Sequence, residues 1–501
     1  MDSFPLLSVI TFLPLAGAVL VALLARGGDC KTGVKISLGI GFVASLATLG
    51  LSAYMLHLFD PANTAFQFVE RAVWIPAFNI AYIKGIDGIS VWFVMLTALL
   101  TPVGLLSIIG GVRTRAKEFV IALLVLETML LGVFTSLDLI LFYVFFEGVL
   151  IPMFIIVGAW GQTKTGYAAY KSVLYTLLGS LLMLVAIFVT ALNAGTTDMT
   201  ALIGNPNLPP HMALWLFLAF FVSFAIKTPI WPFHTWLPYV YEETPAAFVV
   251  MSGVMLKMGS YGFIRIGVQM LPHASTDFAP LVIWLSLIGI VYASLAALAQ
   301  TEMKRVIAYS SVAHMGYITL GIFSFTDQGF DGAMFVALSH SLVAAALFLG
   351  VSVPFERLGI TKTARYGGMA NNMPRYAALF MVFTLASVGL PGTSGFIGEF
   401  LTTQGAYLAN SWYGVIAATG MVLGAAYMLV LYRGLFFGPS DKPDVAAMKD
   451  VNVREMAMFA PLLVLVLWLG IHPADFRHIY APTLDKVISD YQAHIQGDTN
   501  D

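Results

Sequence analysis

Long apolar runs alternate with short polar segments along the whole chain. A helix of roughly 20 apolar residues crosses a bilayer core about 30 Å thick, and about fourteen runs of that length are bounded by polar or Gly/Pro-rich stretches. The pattern predicts an all-α polytopic membrane protein with about 14 transmembrane helices. The predicted spans are 4–25, 34–58, 88–111, 118–136, 138–158, 170–192, 212–238, 244–270, 278–299, 302–323, 331–352, 376–404, 412–437 and 457–472.

Lysine and arginine are distributed unequally between the two sides of these spans. Eighteen of the 25 lie in or beside the loops that follow odd-numbered spans, and only Arg71, Lys84, Arg477 and Lys486 lie on the other side. Basic residues accumulate in cytoplasmic loops. The distribution therefore predicts that both termini face away from the cytoplasm.

Composition supports a membrane protein and excludes several kinds of chemistry. The chain has 501 residues, of which 59% are apolar and 10% charged, with a mean hydropathy of +0.86, whereas soluble domains are about 25% charged. A net charge of −2 gives no basic excess for binding nucleic acid. The single cysteine, Cys30, is too few for an internal disulfide, a thiolate zinc site or a cysteine-ligated iron–sulfur cluster. No motif for dinucleotide, nucleotide triphosphate or zinc-hydrolase chemistry is visible.

Four charged residues lie deep within predicted spans: Glu147, Lys227, Lys257 and Glu399. A charge near the bilayer centre costs about 2.5–3.5 kcal/mol on insertion scales, so each residue requires a reason. The alternative is a structural ion pair or a side chain that reaches the interface, which central depth disfavours. Because the protonation of a buried lysine responds to a nearby carboxylate, the set is typical of a proton relay.

Three histidines and one further lysine are candidates for supporting roles. His314 and His340 are central in the tenth and eleventh spans, and His234 follows an interruption in the seventh. The alternative for each histidine is a packed ring that hydrogen-bonds to a backbone carbonyl. Lys304 begins the tenth span, where it either marks the cytoplasmic boundary or reaches the interior.

Three other charged residues in the predicted spans have simpler interpretations. Arg265 is near a helix end and is expected to be an interfacial anchor. Glu127 and Asp138 either tune the entrance of a polar path or face water.

Prolines interrupt two predicted helices. Pro229 and Pro232 break the seventh span and Pro391 breaks the twelfth. Interrupted helices at related places are typical of inverted-repeat transporters, and the 162 residues between Pro229 and Pro391 carry spans 4–8 onto spans 9–13. Five is odd, so the two units enter the membrane from opposite sides. The expected organisation is accessory helices in 1–111, a first five-helix repeat in 118–270, a second, inverted repeat in 278–437, and helix 14 with a C-terminal tail in 457–501.

Five stretches of the sequence resemble the antiporter-like subunits of the proton-pumping NADH–quinone oxidoreductase, respiratory complex I. They are LFYVFFEGVLIPMF, IKTPIWPFHTWLPYVYEETP, SGVMLKMGSYGFIRI, EMKRVIAYSSVAHMG and LPGTSGFIGEFL. The resemblance implies that Glu147 pairs with Lys227, that Lys257 with His314 continues a polar axis, and that Glu399 ends it.

The resemblance also implies partners and a location. NADH, FMN, iron–sulfur clusters and quinone are expected on other subunits, with no cofactor and no metal in this chain. The implied partners are peripheral and membrane subunits of complex I, including sister antiporter-like chains, together with lipids and the transported protons. The expected location is a bacterial cytoplasmic (inner) membrane, with both termini periplasmic, in preference to the mitochondrial inner membrane.

Two other functions remain open on the sequence. One is a subunit of a multi-subunit sodium/proton antiporter without redox partners, and the other is a structural membrane spacer. Glu399 argues against the first, because related antiporter subunits usually carry lysine at that position. The depth of Glu147, Lys227 and Lys257 argues against the second.

Overall fold

The computed structural model describes residues 4–25, 31–112, 114–204, 208–439 and 441–497. Cys30, named above, and Arg26 and Arg113, counted above among the basic loop residues, lie outside the described residues. The last four residues of the predicted tail, 498–501, lie outside them as well.

The described chain is mainly helical. Its α-helices are α1 (Leu6–Leu24), α2 (Lys31–Leu58), α3 (Gly88–Gly111), α4 (Ala116–Thr135), α5 (Leu139–Gly148), α6 (Leu150–Trp160), α7 (Thr165–Ala194), α8 (Met199–Leu202), α9 (Pro210–Lys227), α10 (Leu237–Glu243), α11 (Ala246–Met255), α12 (Lys257–Gly262), α13 (Pro272–Leu298), α14 (Met303–Phe323), α15 (Asp327–Leu358), α16 (Met369–Asn372), α17 (Pro374–Val388), α18 (Ser394–Ala409), α19 (Ser411–Phe436), α20 (Pro443–Ala446), α21 (Val453–Ile471) and α22 (Ala474–Gly497). A π-helical turn, Phe263–Val268, extends α12, and short 3-10 helices cover Pro76–Phe78 and Thr363–Arg365.

Helices occupy each of the fourteen predicted spans. Within the described residues, thirteen helices are long and apolar enough to cross a membrane, by length and composition. The twelfth span is instead divided into α17 and α18, each shorter than a bilayer crossing. The all-α membrane fold is thus confirmed, while the number of crossings and the internal repeat stay predictions.

One segment that the helical pattern left unassigned forms a β-hairpin. Strand β1 (Gln67–Ile75) pairs antiparallel with β2 (Ile80–Ile86), and Asn79 adopts a left-handed conformation at the turn between them. Asparagine tolerates that conformation better than most residues. Strands of nine and seven residues are too short to appear in a search for membrane-length apolar runs.

The predicted C-terminal tail is largely a helix, α22. It packs against α3, α13 and α15, and its buried side chains include Phe476, Tyr480, Leu484 and Ile488. These follow one another at intervals of four residues and so line one helical face. The sequence pattern missed α22 because it is amphipathic rather than continuously apolar.

The helices that carry the candidate residues lie at the centre of the molecule. The stretch 246–268 and helix α15 are buried along their apolar windows, whereas α2 and α7 expose most of theirs. A helix that is apolar on all sides is stable only when surrounded. Charged groups on the central helices are therefore held among protein atoms rather than lipid.

Candidate functional site

Glu147 and Lys227 lie on neighbouring parts of the first predicted repeat. Glu147, on α5, is partly buried, and Lys227, the last residue of α9, is 1% exposed. The two charged groups interact electrostatically, although no ion pair within 4 Å joins them among the described residues. Lys227 Nζ lies 5.3 Å from the centroid of the Phe146 ring. The two groups can therefore influence each other's charge without being locked together.

The break after Lys227 occurs where the prolines predict it. Helix α9 ends at Lys227, and Pro229 and Pro232 lie in the turns that precede α10. Proline has no N–H to continue the helical hydrogen bonds. The Trp236 indole N–H donates to the carbonyl oxygen of Ile226 at 3.0 Å, so this carbonyl keeps a partner at the break.

Lys257 contacts His340 rather than His314. Lys257 Nζ lies 2.7 Å from His340 Nδ1, and both residues are buried. The resemblance implies that Lys257 with His314 continues a polar axis, and the structure places His340 between these two residues. Helix α15 packs between α11 and α14. His340 on α15 is therefore nearer than His314 on α14 to Lys257, which lies at the junction of α11 and α12.

His314 instead joins the second histidine to Glu399. His314 Nδ1 lies 3.1 Å from Glu399 Oε1, and the ring centroids of His314 and His340 are 5.4 Å apart. A cavity of about 20 Å³ lies among these three side chains, with Ser310 and Ser339 in its wall. That volume accommodates a water molecule. Lys257, His340, His314 and Glu399 thus form one continuous polar row.

Glu399 follows the second helix break. Helix α17 ends at Val388 and α18 begins at Ser394, with Pro391 in the turn between them. Gly389 and Gly392 have φ values of 81° and 90°, which glycine adopts without the steric cost of a Cβ. The break predicted from Pro391 is present, and Glu399 lies in the second turn of α18.

His234 and Lys304 occupy positions outside this row. The His234 ring packs edge-on against Tyr292 and Tyr309, with centroids 5.4 and 6.3 Å away. Among the described residues, no hydrogen bond or ion pair joins His234 to another candidate. Lys304 Nζ donates to the carbonyl oxygens of Glu242 at 3.3 Å and Thr244 at 3.0 Å, at the C-terminal end of α10.

The contacts of Lys304 explain its burial. The last carbonyl groups of a helix lack partners within the helix, and a cation there is favourable. Lys304 therefore stabilises the C-terminal end of α10, and it lies outside the polar row.

Arg265 is not an interfacial anchor, contrary to the prediction. It is 2% exposed and forms an ion pair with Asp87, the N-cap residue of α3. Its guanidinium also lies over the rings of Phe66 and Tyr261. The sequence could not reveal this pair because the two residues are 178 positions apart.

Two buried charges were missed or misplaced by sequence reasoning. Glu127 is fully buried on α4 instead of facing water, and neither carboxyl oxygen has a hydrogen-bond partner among the described residues. Lys84, on β2, is also fully buried and donates to the hydroxyl groups of Thr11 and Thr135. Burial lowers the pKa of Lys84 from 10.5 to about 7. Lys84 lies outside the apolar runs, so no sequence signal marked it.

The described residues contain no group of three or more His, Cys, Asp or Glu side chains arranged to hold a metal ion. The chemistry available in the polar row is that of its side chains. Carboxylate, ammonium and imidazole groups can each gain and release a proton.

Comparisons with known proteins agree with the fold. Residues 136–424 match the family NADH:quinone oxidoreductase/Mrp antiporter, TM. NADH-quinone oxidoreductase subunit M of Rhodobacter capsulatus is 47% identical over 98% of each chain. NADH-ubiquinone oxidoreductase chain 4 of Arabidopsis thaliana is 45% identical over 91% of this chain and 92% of that protein.

A solved structure gives the same result. One chain of respiratory complex I from Thermus thermophilus with bound NADH superposes with a TM-score of 0.88 at 29% identity, covering 97% of this chain and 99% of that chain. The chain therefore belongs to the NADH:quinone oxidoreductase/Mrp antiporter family of membrane proteins, together with subunit M of NADH-quinone oxidoreductase and chain 4 of its mitochondrial counterpart.

Proposed function

We propose that this chain is the antiporter-like, proton-translocating membrane subunit of an NADH–quinone oxidoreductase, complex I. It conducts protons along Glu147, Lys227, Lys257 and Glu399, with His340 and His314 between the last two. The observation that carries the proposal is the buried contact of Lys257 with His340, from which the row continues to His314 and Glu399.

The Lys257–His340 contact favours proton transfer over a fixed charge. Two protonated bases at 2.7 Å would repel each other, and neither could accept a hydrogen bond. The geometry therefore requires that at least one of the two nitrogens is unprotonated. A single proton shared between two buried bases moves when the charge on either side changes.

In the first repeat, Glu147 and Lys227 can change the charge beside the Lys257–His340 pair. Lys227 ends a broken helix, and a small movement there alters its distance from Glu147 and from Lys257. A carboxylate that approaches a buried ammonium favours the charged form of the lysine, and its withdrawal favours proton release. The broken segment thus converts a mechanical change into a proton movement.

The two five-helix repeats give this path its direction. We assign 118–270 and 278–437 to oppositely oriented units, with 1–111 and 457–501 as accessory segments. Support comes from the two breaks, which place Lys227 and Glu399 beside interrupted helices in corresponding units. Inverted repeats allow one half to face each side of the membrane in turn.

The redox chemistry belongs to partner subunits. NADH, FMN, iron–sulfur clusters and quinone bind elsewhere in the complex, and this chain holds no cofactor of its own. It is a subunit of the enzyme, which couples NADH oxidation and quinone reduction to proton pumping. Its neighbours are the other membrane subunits, including sister antiporter-like chains. We place it in a bacterial cytoplasmic membrane with both termini on the periplasmic side.

Affinity purification followed by a transport assay tests this function. The tagged chain should purify with a peripheral arm that oxidises NADH. The complex, reconstituted into vesicles, should move protons on addition of NADH, and this movement should not depend on sodium or on a sodium ionophore. Purification without redox subunits, together with obligatory sodium movement, would instead identify a sodium/proton antiporter subunit.

A further inference from the structure

A second cavity opens on the side of the protein that carries the basic loops. This cavity of about 280 Å³ lies where α13 and α19 end and α14 begins, and its mainly apolar lining includes Thr301, Thr363 and Arg433. Thr301 and Arg433 are exposed, so the mouth of the cavity is at the protein surface. Loops after odd-numbered spans form this rim, which is the side predicted to be cytoplasmic.

Tyr427 closes the inner part of this cavity. It lies on α19, nine residues before the helix ends at Phe436, which corresponds to about 13 Å along the axis. Tyr427 lines the cavity yet is buried, at 2% exposure. The Tyr427 hydroxyl donates to Ser310 Oγ at 2.9 Å, and Ser310 is also buried.

Ser310 faces the space that holds the end of the relay. It lines the small cavity shared by His314, His340 and Glu399. Tyr427 itself also lines a second, smaller space beside His314 and Glu399. Tyr427 and Ser310, joined by one hydroxyl–hydroxyl contact, therefore lie between the large surface cavity and the polar row.

We propose that Tyr427 and Ser310 form a hydroxyl bridge that passes protons between the cytoplasmic cavity and the His314–Glu399 pair. The bridge gives the second repeat its own proton access from the cytoplasm. This proposal rests on the proposed function, since it supplies the relay with protons, and it assigns Tyr427 and Ser310 as proton carriers.

The proton balance needs no charge on either hydroxyl. A hydronium ion in the cavity gives a proton to the Tyr427 oxygen and is left as water, while Tyr427 gives its own proton to Ser310 Oγ. Ser310 in turn releases its proton to a water molecule in the small cavity, and His314 or Glu399 accepts it. Each hydroxyl stays neutral, so the bridge avoids the cost of a buried tyrosinate or a buried charge.

Tyr427→Phe tests the bridge because it keeps the ring and removes only the hydroxyl. NADH-driven acidification by the reconstituted complex should fall by roughly 100-fold, the lower end of what one positioned proton-transfer group contributes. NADH oxidation with an artificial acceptor at the peripheral arm should stay normal, which shows that the complex is assembled. Tyr432→Phe is the matched control: Tyr432 is buried on the same helix, and its hydroxyl donates to the Ala377 carbonyl. Wild-type acidification in Tyr427→Phe would overturn the proposal.

Access to the cavity is measured independently of pumping. Val306→Cys, in a Cys30→Ser background, places a thiol on the cavity wall. A cationic methanethiosulfonate should label it in vesicles with the cytoplasmic face outward and spare it in vesicles of the opposite orientation. Val312→Cys, buried on the same helix and absent from the cavity lining, should stay unlabelled. Absence of labelling at Val306→Cys, or labelling only from the periplasmic face, would contradict cytoplasmic access.

Glu399→Gln separates a failure of the bridge from a failure of the relay. If Glu399→Gln loses pumping while Tyr427→Phe pumps normally, the relay is retained and the hydroxyl bridge is rejected. Normal pumping in Glu399→Gln excludes Glu399 from the relay, and with it the pair that the bridge would supply.

Discussion

Lys257 Nζ and His340 Nδ1 lie 2.7 Å apart at the centre of the helical bundle. The two residues lie on different helices and are 83 positions apart in sequence. This pair links the helix break after Lys227 to the His314–Glu399 pair, so substitutions on either side of it should have distinct effects.

His340→Ala should interrupt proton transfer between Lys257 and His314. It removes the acceptor next to Lys257 while leaving Glu147, Lys227 and Glu399 in place. Proton pumping should fall by about tenfold or more, and quinone reduction should slow with it, because a tightly coupled pump cannot turn over without moving protons. His340→Gln, which keeps a hydrogen-bonding side chain but carries no proton, should be nearly as impaired. Full pumping in His340→Gln would assign the histidine a structural role.

Glu147→Gln should leave the complex assembled and sharply reduce pumping. A neutral amide keeps the shape of the side chain but cannot accept a proton. Glu147→Asp keeps the carboxylate on a shorter stem and should retain part of the activity. Acidification rates in vesicles check both variants, and normal pumping in Glu147→Gln would exclude Glu147 from the relay.

Lys227→Arg should be a poor substitute for lysine. The guanidinium has a pKa above 12 and does not release its proton under these conditions. Lys227→Ala should abolish pumping and slow quinone reduction as well. The measurement is the number of protons moved per NADH in both variants. A normal ratio in Lys227→Arg would show that only a fixed positive charge is required at the break.

Glu399→Gln should lower pumping because it removes the carboxylate that pairs with His314. Glu399→Lys should retain part of the activity, since the ammonium group can also release and accept a proton. Vesicle acidification compared with Glu399→Ala provides the measurement. If all three variants pump at the wild-type rate, Glu399 only contributes to packing around the second break.

Lys84→Met should leave assembly intact and change the pH dependence of stability. The folded protein lowers the pKa of Lys84 to about 7, from 10.5, so the unfolded chain binds the proton more tightly between these values. Burial of the charge destabilises the fold fully below pH 7, and this penalty diminishes as the pH rises toward 10.5. The thermal midpoint of the wild-type complex, measured relative to that of Lys84→Met, should therefore be lowest below pH 7. It should rise as the pH increases toward 10.5.

The contacts of Lys84 make this variant mild. Thr11 and Thr135 already donate their hydroxyl protons to backbone carbonyl oxygens, so removing the ammonium leaves no donor unsatisfied. Methionine fills a similar volume among the rings of Phe12 and Phe145. An equal difference between the two thermal midpoints at pH 6.5 and pH 9.5 would contradict the lowered pKa.

The sequence by itself determined the membrane fold and the depth of its charges. Apolar runs of membrane length can be stable only as helices in lipid, and prolines remove backbone donors wherever they occur, so the breaks near Pro229 and Pro391 were predictable. Glu147, Lys227, Lys257 and Glu399 were identified because charge at that depth is costly.

Only the tertiary structure decided which of these side chains meet. His340 instead of His314 contacts Lys257, Lys304 binds the end of α10, and Arg265 pairs with Asp87. Each contact depends on which helices are neighbours and how each is rotated about its axis. The central helices are apolar on most of their faces, so their sequences carry no amphipathic pattern that would fix the rotation of each helix about its axis. Packing between helices distant in sequence fixes it instead.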